Sequence, residues 1–146
     1  MTKTFLKAAT VAALSGAAFM PLTASDHTAG TSRTLAADVV WHDVAPGRSI
    51  GTIKGDFKKD AHLKFIKFQA GIKTPPHRHS YNYVGIILSG RMRHFEPGKP
   101  ETETILSAGS FYEIGAEVAH ISECLAGSEC LFVTQFDGAF DLKLAK

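Results

Sequence analysis

From residue 39 onward, short runs rich in β-branched and aromatic residues alternate with turn signals such as Pro46-Gly47, Ala70-Gly71, Ser89-Gly90, Pro97-Gly98, Ala108-Gly109 and Ala126-Gly127. The runs predict strands over 39–44, 49–53, 63–69, 84–88, 92–95, 103–106, 111–114, 119–124 and 131–136. No stretch beyond residue 38 sustains a 3.6-residue apolar period over three turns. Strands recurring every eight to twelve residues or so, punctuated by Gly and Pro, belong to a sandwich or barrel. The expectation is an all-β domain over 39–146.

The N-terminal pattern differs. Lys3 and Lys7 precede an uncharged apolar stretch from Ala8 to Met20, Pro21 breaks it, and Thr23-Ala24-Ser25 supplies small residues for cleavage. This layout predicts a secretory signal peptide over 1–25, its apolar segment too short to span a bilayer. Residues 26–38 are small and polar and are expected to form a flexible leader. The implied location is the periplasm or the extracellular medium. With no further apolar run of spanning length, the mature chain is expected not to insert into a membrane.

Charge then changes meaning. The whole chain of 146 residues has 16 Lys and Arg against 14 Asp and Glu, a formal charge of +2. Lys3 and Lys7 account for that excess, and removing 1–25 leaves a balanced domain. No basic surplus remains to neutralise phosphates, which argues against a nucleic-acid partner. With 45% hydrophobic residues the chain can bury a core, which excludes a disordered tail protein.

The candidate chemistry lies in the seven histidines. His77 and His79 are two apart on an extended segment, so both imidazoles face one side and can reach one point. Neutral imidazole is a good ligand for Fe, Mn, Ni, Cu or Zn, and a pair requires at least a third donor. Gly71, His77, His79, Tyr83 and Gly90 keep the spacings Gly-x5-His-x-His-x3-Tyr-x6-Gly, and Gly109, Gly115, Glu117, His120 and Cys124 follow with a second set. This resembles the cupin family, whose two motifs have these spacings. The resemblance implies a double-stranded β-helix, a jelly-roll barrel, and one divalent transition metal held by His77, His79 and His120. It departs from the family where the ligand glutamate becomes Tyr83, the second motif's Pro and Gly become Gly115 and Glu117, and its Asn becomes Cys124.

Tyr83 thus has three open roles: phenolate ligand, proton donor beside the metal, or aromatic wall. A tyrosine pKa near 10 disfavours the first. His94, Tyr112 and Gln135 are candidates for orienting a substrate or the metal ligands. His94 faces inward if Met92, its strand neighbour of like parity, is core. His27, His42 and His62 default to solvent or core packing. Phe65, Phe68, Tyr83, Phe111 and Phe132 are available to make the pocket apolar.

Cys124 and Cys130 are the only cysteines. In an exported chain they are expected to form a disulfide across a short turn. Cys124 is four residues beyond His120, roughly 13 Å along a strand, too far to share its metal. The functional expectation is a metal-dependent enzyme, such as a dioxygenase or a lyase or isomerase, acting on a small organic molecule. The competing expectations are a non-catalytic binding or sensing cupin, and a β-domain that forms a homodimer.

Overall fold

The computed structural model describes residues 30–145; the predicted signal peptide and the start of the leader lie outside them. Residues 30–33 are exposed and lack regular structure. From Thr34 the chain forms one compact unit, opened by a single 3-10 turn at Ala36–Asp38.

Eleven strands follow: β1 (Trp41–Ala45), β2 (Arg48–Lys54), β3 (His62–Phe68), β4 (His77–Arg78), β5 (Tyr83–Ser89), β6 (Arg91–Phe95), β7 (Ile105–Ser107), β8 (Phe111–Ile114), β9 (Ile121–Cys124), β10 (Cys130–Phe136) and β11 (Lys143–Leu144). One wall is a six-stranded sheet in the order β1-β2-β3-β10-β5-β8, and a three-stranded sheet β7-β6-β9 forms a second. Isolated bridges Lys73↔Glu123 and His77↔His120 extend the second wall beyond β9, and β11 pairs with β4 beyond that. All these pairings are antiparallel, as the expected all-β jelly roll requires.

The strand expectations hold to within a few residues. The main departure is 103–106, where a 3-10 turn at Pro100–Thr102 delays the strand to Ile105. Proline at the first position of that turn presets its φ and has no N–H to satisfy. The short β4 and β11 were not predicted, because two-residue strands carry no periodicity to read.

Inward-facing positions alternate with outward ones. On β10, Phe132, Thr134 and Phe136 are buried and Gln135 is exposed, which corrects its expected place near the metal: its parity puts it on the outer face. Phe65 likewise faces away from Phe68 and packs against Trp41, ring centroids 6.2 Å apart. Phe111 is exposed on the edge strand β8. Phe68, Ile87, Met92, Cys124, Cys130 and Phe132 form the core at one end of the barrel.

Cys124 and Cys130 are joined by a disulfide with Cα atoms 5.8 Å apart. It ties β9 to β10, and so one wall to the other, at the end of β9 remote from His120. For so short a loop the chain-entropy contribution is on the order of 2–3 kcal/mol. A Cys124→Ala, Cys130→Ala double variant should lose about that much stability in urea unfolding.

Candidate metal centre

Two segments bring the histidines together. Pro75-Pro76 leads stiffly into β4, which carries His77 with His79 just beyond it. His120 immediately precedes β9, and its backbone exchanges two hydrogen bonds with His77: His77 N–H to the His120 carbonyl at 3.0 Å and the reverse at 2.8 Å. The ligand atoms that His77, His79 and His120 offer all lie within 4.8 Å of one another, and all three residues are buried.

Each ring also has its proton assigned. Nδ1 of His77 bonds the Pro75 carbonyl at 2.9 Å, and Nδ1 of His120 bonds the Val118 carbonyl at 2.9 Å. Nδ1 of His79 bonds the Asp141 carbonyl. A carbonyl only accepts, so every Nδ1 carries the hydrogen and every Nε2 is left with a free lone pair. This is the tautomer a metal-binding histidine needs. Burial also keeps the rings neutral, lowering His77 and taking His79 down to about 4 and His120 to about 3. Three neutral, oriented donors converging on one point fit a divalent transition metal, the group implied by the motif.

The Asp141 carbonyl comes from the C-terminal segment, which folds across the site. The Asp141 carboxylate accepts from the Ser80 backbone N–H at 2.8 Å and from the Ser80 hydroxyl at 2.6 Å. Phe140 N–H donates to the Phe57 carbonyl at 2.7 Å. Glu117, which stands where the family motif has Gly, has a φ of 62°, the one positive φ at a non-glycine among the described residues. Its carboxylate meets Arg78 at 3.1 Å and Lys143 at 2.8 Å, binding the His77, His120 and C-terminal segments together at the surface. These exposed pairs contribute little energy individually; they fix orientation.

Tyr83 reaches the cluster because the chain bends at Ser80 and Tyr81. Its hydroxyl is 2.8 Å from Nε2 of both His120 and His94, and Nδ1 of His94 is 2.9 Å from the Ser122 hydroxyl. The polarity of this chain is forced. The His120 Nε2 lone pair takes the single phenolic hydrogen. His94 must then donate from Nε2 to the Tyr83 oxygen, and its Nδ1 accepts from Ser122. Burial raises the Tyr83 pKa well above 10 and holds His94 well below 6.5, so both are neutral. Met92 and His94 share the inward face of β6, as their parity implies, and Tyr112 stacks on His94 with centroids 3.9 Å apart. Gly85 makes room for that ring: a Cβ there would come within 2.1 Å of Tyr112.

A cavity of about 280 Å³ opens beside His77 and His79. Ile50, Ile66, Phe68, Phe132, Phe136 and Phe140 make it largely apolar, and Tyr83, Tyr112 and Ser122 border it. A larger depression of about 600 Å³ at the β1–β2 turn is lined by Asp43, Arg48, Lys67 and Glu129; it contains none of the converging histidines. The cavity also holds Lys64 and Thr134, which the sequence reading passed over. On β3, His62, Lys64, Ile66 and Phe68 share one face, so strand parity alone was enough to place Lys64 inward. Lys64 is fully buried. His62 is buried too, stacked on Phe136 with centroids 5.0 Å apart, and His42 is exposed.

Buried neutral histidines set an acid limit. The unfolded chain takes up protons below about pH 6.5, whereas the folded rings resist them, so folding stability falls as pH drops through that value. For His79, the fall from 6.5 to about 4 corresponds to roughly 3 kcal/mol at about 1.36 kcal/mol per pH unit. Metal-free protein should therefore show a falling Tm between about pH 7 and pH 5 in thermal melts with chelator. A flat profile would mean that the rings are not buried neutral.

No family profile and no curated protein matches the chain. Solved structures do share its architecture. The polyketide cyclase RemF from Streptomyces resistomycificus superposes with a TM-score of 0.67 at 18% identity, covering 80% of this chain and 87% of that one. An RmlC-like cupin from Shewanella frigidimarina gives 0.60 at 18% identity, covering 74% and 92%. The DMSP lyase DddQ from Ruegeria pomeroyi gives 0.61 at 15% identity, covering 75% and 62%. At such identities the likeness speaks for the fold alone: this chain has an RmlC-like cupin fold.

Proposed function

We propose that the protein is an exported metal-dependent cupin enzyme, oxygenase-like or lyase- or isomerase-like, acting on a small organic molecule in the barrel. One observation carries the reading: three neutral imidazoles, each locked by a carbonyl at Nδ1, aim their Nε2 atoms together beside an apolar cavity. His77, His79 and His120 would hold one divalent transition metal, which supplies Lewis-acid or oxygen-activating chemistry when bound. Tyr83 is the group positioned to give or receive a proton, and His94 and Ser122 continue its hydrogen-bond chain inward. The aromatic lining excludes water from the bound molecule. Export is supported by the Cys124–Cys130 disulfide, which suits an oxidising compartment. Exposed Ile86 and Phe111, partners across β5 and β8, would supply the apolar face of a homodimer.

The second reading is a non-catalytic ligand-binding or sensing cupin. It is favoured by the absence of any Asp or Glu among the described residues that line the cavity, which leaves none of them to act there as a carboxylate general base.

Elemental analysis tests the metal directly. The protein should contain about one transition metal per chain, and a His77→Ala, His79→Ala double variant should contain none. A wild-type protein that neither holds nor takes up Fe, Mn, Ni, Cu or Zn would sink the metal reading. A second readout is independent of turnover. Once the His120 Nε2 lone pair is engaged by a metal, the Tyr83 hydrogen must turn to His94, which then carries its own proton on Nδ1. Imidazole ¹⁵N spectra should show His94 changing tautomer on zinc addition in wild type and not in Tyr83→Phe.

A further inference from the structure

Lys64 is one of the buried polar groups left unmatched among the described residues. Its side chain is fully buried and its Nζ has no hydrogen-bond partner among the described residues. Three rings surround the ammonium, with centroids at 3.4 Å for Phe140, 4.6 Å for Phe136 and 5.7 Å for Phe57. Ring faces attract a cation but leave its three N–H donors without acceptors. Burial alone pulls its pKa down from 10.5 to about 7, the mark of a charge with no counter-ion.

Its neighbours repeat the deficit. Thr134, its partner across β3 and β10, has a buried hydroxyl without a partner, and so has Nε of Arg48. All three residues line the same cavity as His77 and His79, and among the described residues no acidic one does. The family glutamate that would add a negative charge is Tyr83 here, held as a neutral phenol.

We infer that Lys64, with Thr134 beside it and Arg48 as a second cation, anchors the negatively charged group of the cavity's ligand, and that this ligand is a small carboxylate with an apolar body. A carboxylate oxygen offers what each of these orphaned donors lacks. It also supplies the negative charge that the donor set does not, and the apolar lining takes the rest of the molecule. A cavity of about 280 Å³ suits a compact ligand. The inference deepens the proposed function and rests on it in reading the cavity as the ligand site, but the carboxylate anchor itself needs no metal.

Calorimetric titration of the purified protein, with and without zinc, against benzoate and its neutral counterpart benzyl alcohol tests this. Benzoate should bind more tightly than benzyl alcohol. Lys64→Met should weaken benzoate about ten- to hundredfold, the worth of a hydrogen bond to a charged group, without changing zinc stoichiometry. Because Lys64→Met removes a buried unpaired charge, its Tm should rise, which also reports that the variant folds. Lys64→Arg, which keeps the charge, should retain part of the preference. Equal benzoate affinity in wild type and Lys64→Met, no preference over benzyl alcohol, or no benzoate binding up to about 10 mM would each overturn the inference; the wild-type comparison needs no variant. Zinc binding with benzoate indifferent to Lys64 defeats the anchor and leaves the metal reading standing. Lys64-dependent benzoate binding in a protein that takes up no metal does the reverse.

Discussion

A buried imidazole has one proton to place, and in this barrel the placing is done by backbone carbonyls. Those of Pro75, Val118 and Asp141 each take a hydrogen from Nδ1 of a different histidine. They come from three separate stretches of chain: the turn before β4, the turn before β9 and the C-terminal segment. The arrangement of lone pairs is therefore a property of the closed fold, and no single strand contains it. The Tyr83–His94–Ser122 chain inherits its direction from the same bonds, because the His120 tautomer dictates where the phenolic hydrogen goes.

The contrast between the two sides of the cavity follows from this bookkeeping of protons and acceptors. Along the chain from His120 through Tyr83 and His94 to Ser122 each hydrogen has an acceptor, and the chain is neutral. Around Lys64 the donors outnumber the acceptors. At the cavity the unmatched groups are those of Lys64, Arg48 and Thr134.

Much of this was legible in the sequence because both strands and motifs obey a period of two. The spacing of His77 and His79 places them on one side, and the parity of Met92 carries His94 inward. The turn glycines marked nearly every strand end. Tyr83 was harder, since only a bend at Ser80 and Tyr81 allows a residue four beyond His79 to reach His120. Gln135 and Phe65 were misplaced where chemical type was weighed ahead of parity, and Lys64 was missed because lysine defaults to the surface. The Asp141 carbonyl was beyond reach: it bonds His79 from 62 residues away, through a backbone atom that every residue possesses.

The fold-over of the C-terminal segment has a consequence for how the protein is made. His79 is oriented by a carbonyl 62 residues further along the chain, so the cluster is incomplete until synthesis has passed residue 141. A vectorially synthesised or translocated chain thus presents no finished site while it is in transit. The three lone pairs converge only in the closed barrel, so the position of one backbone carbonyl late in the fold makes the site a product of completed folding.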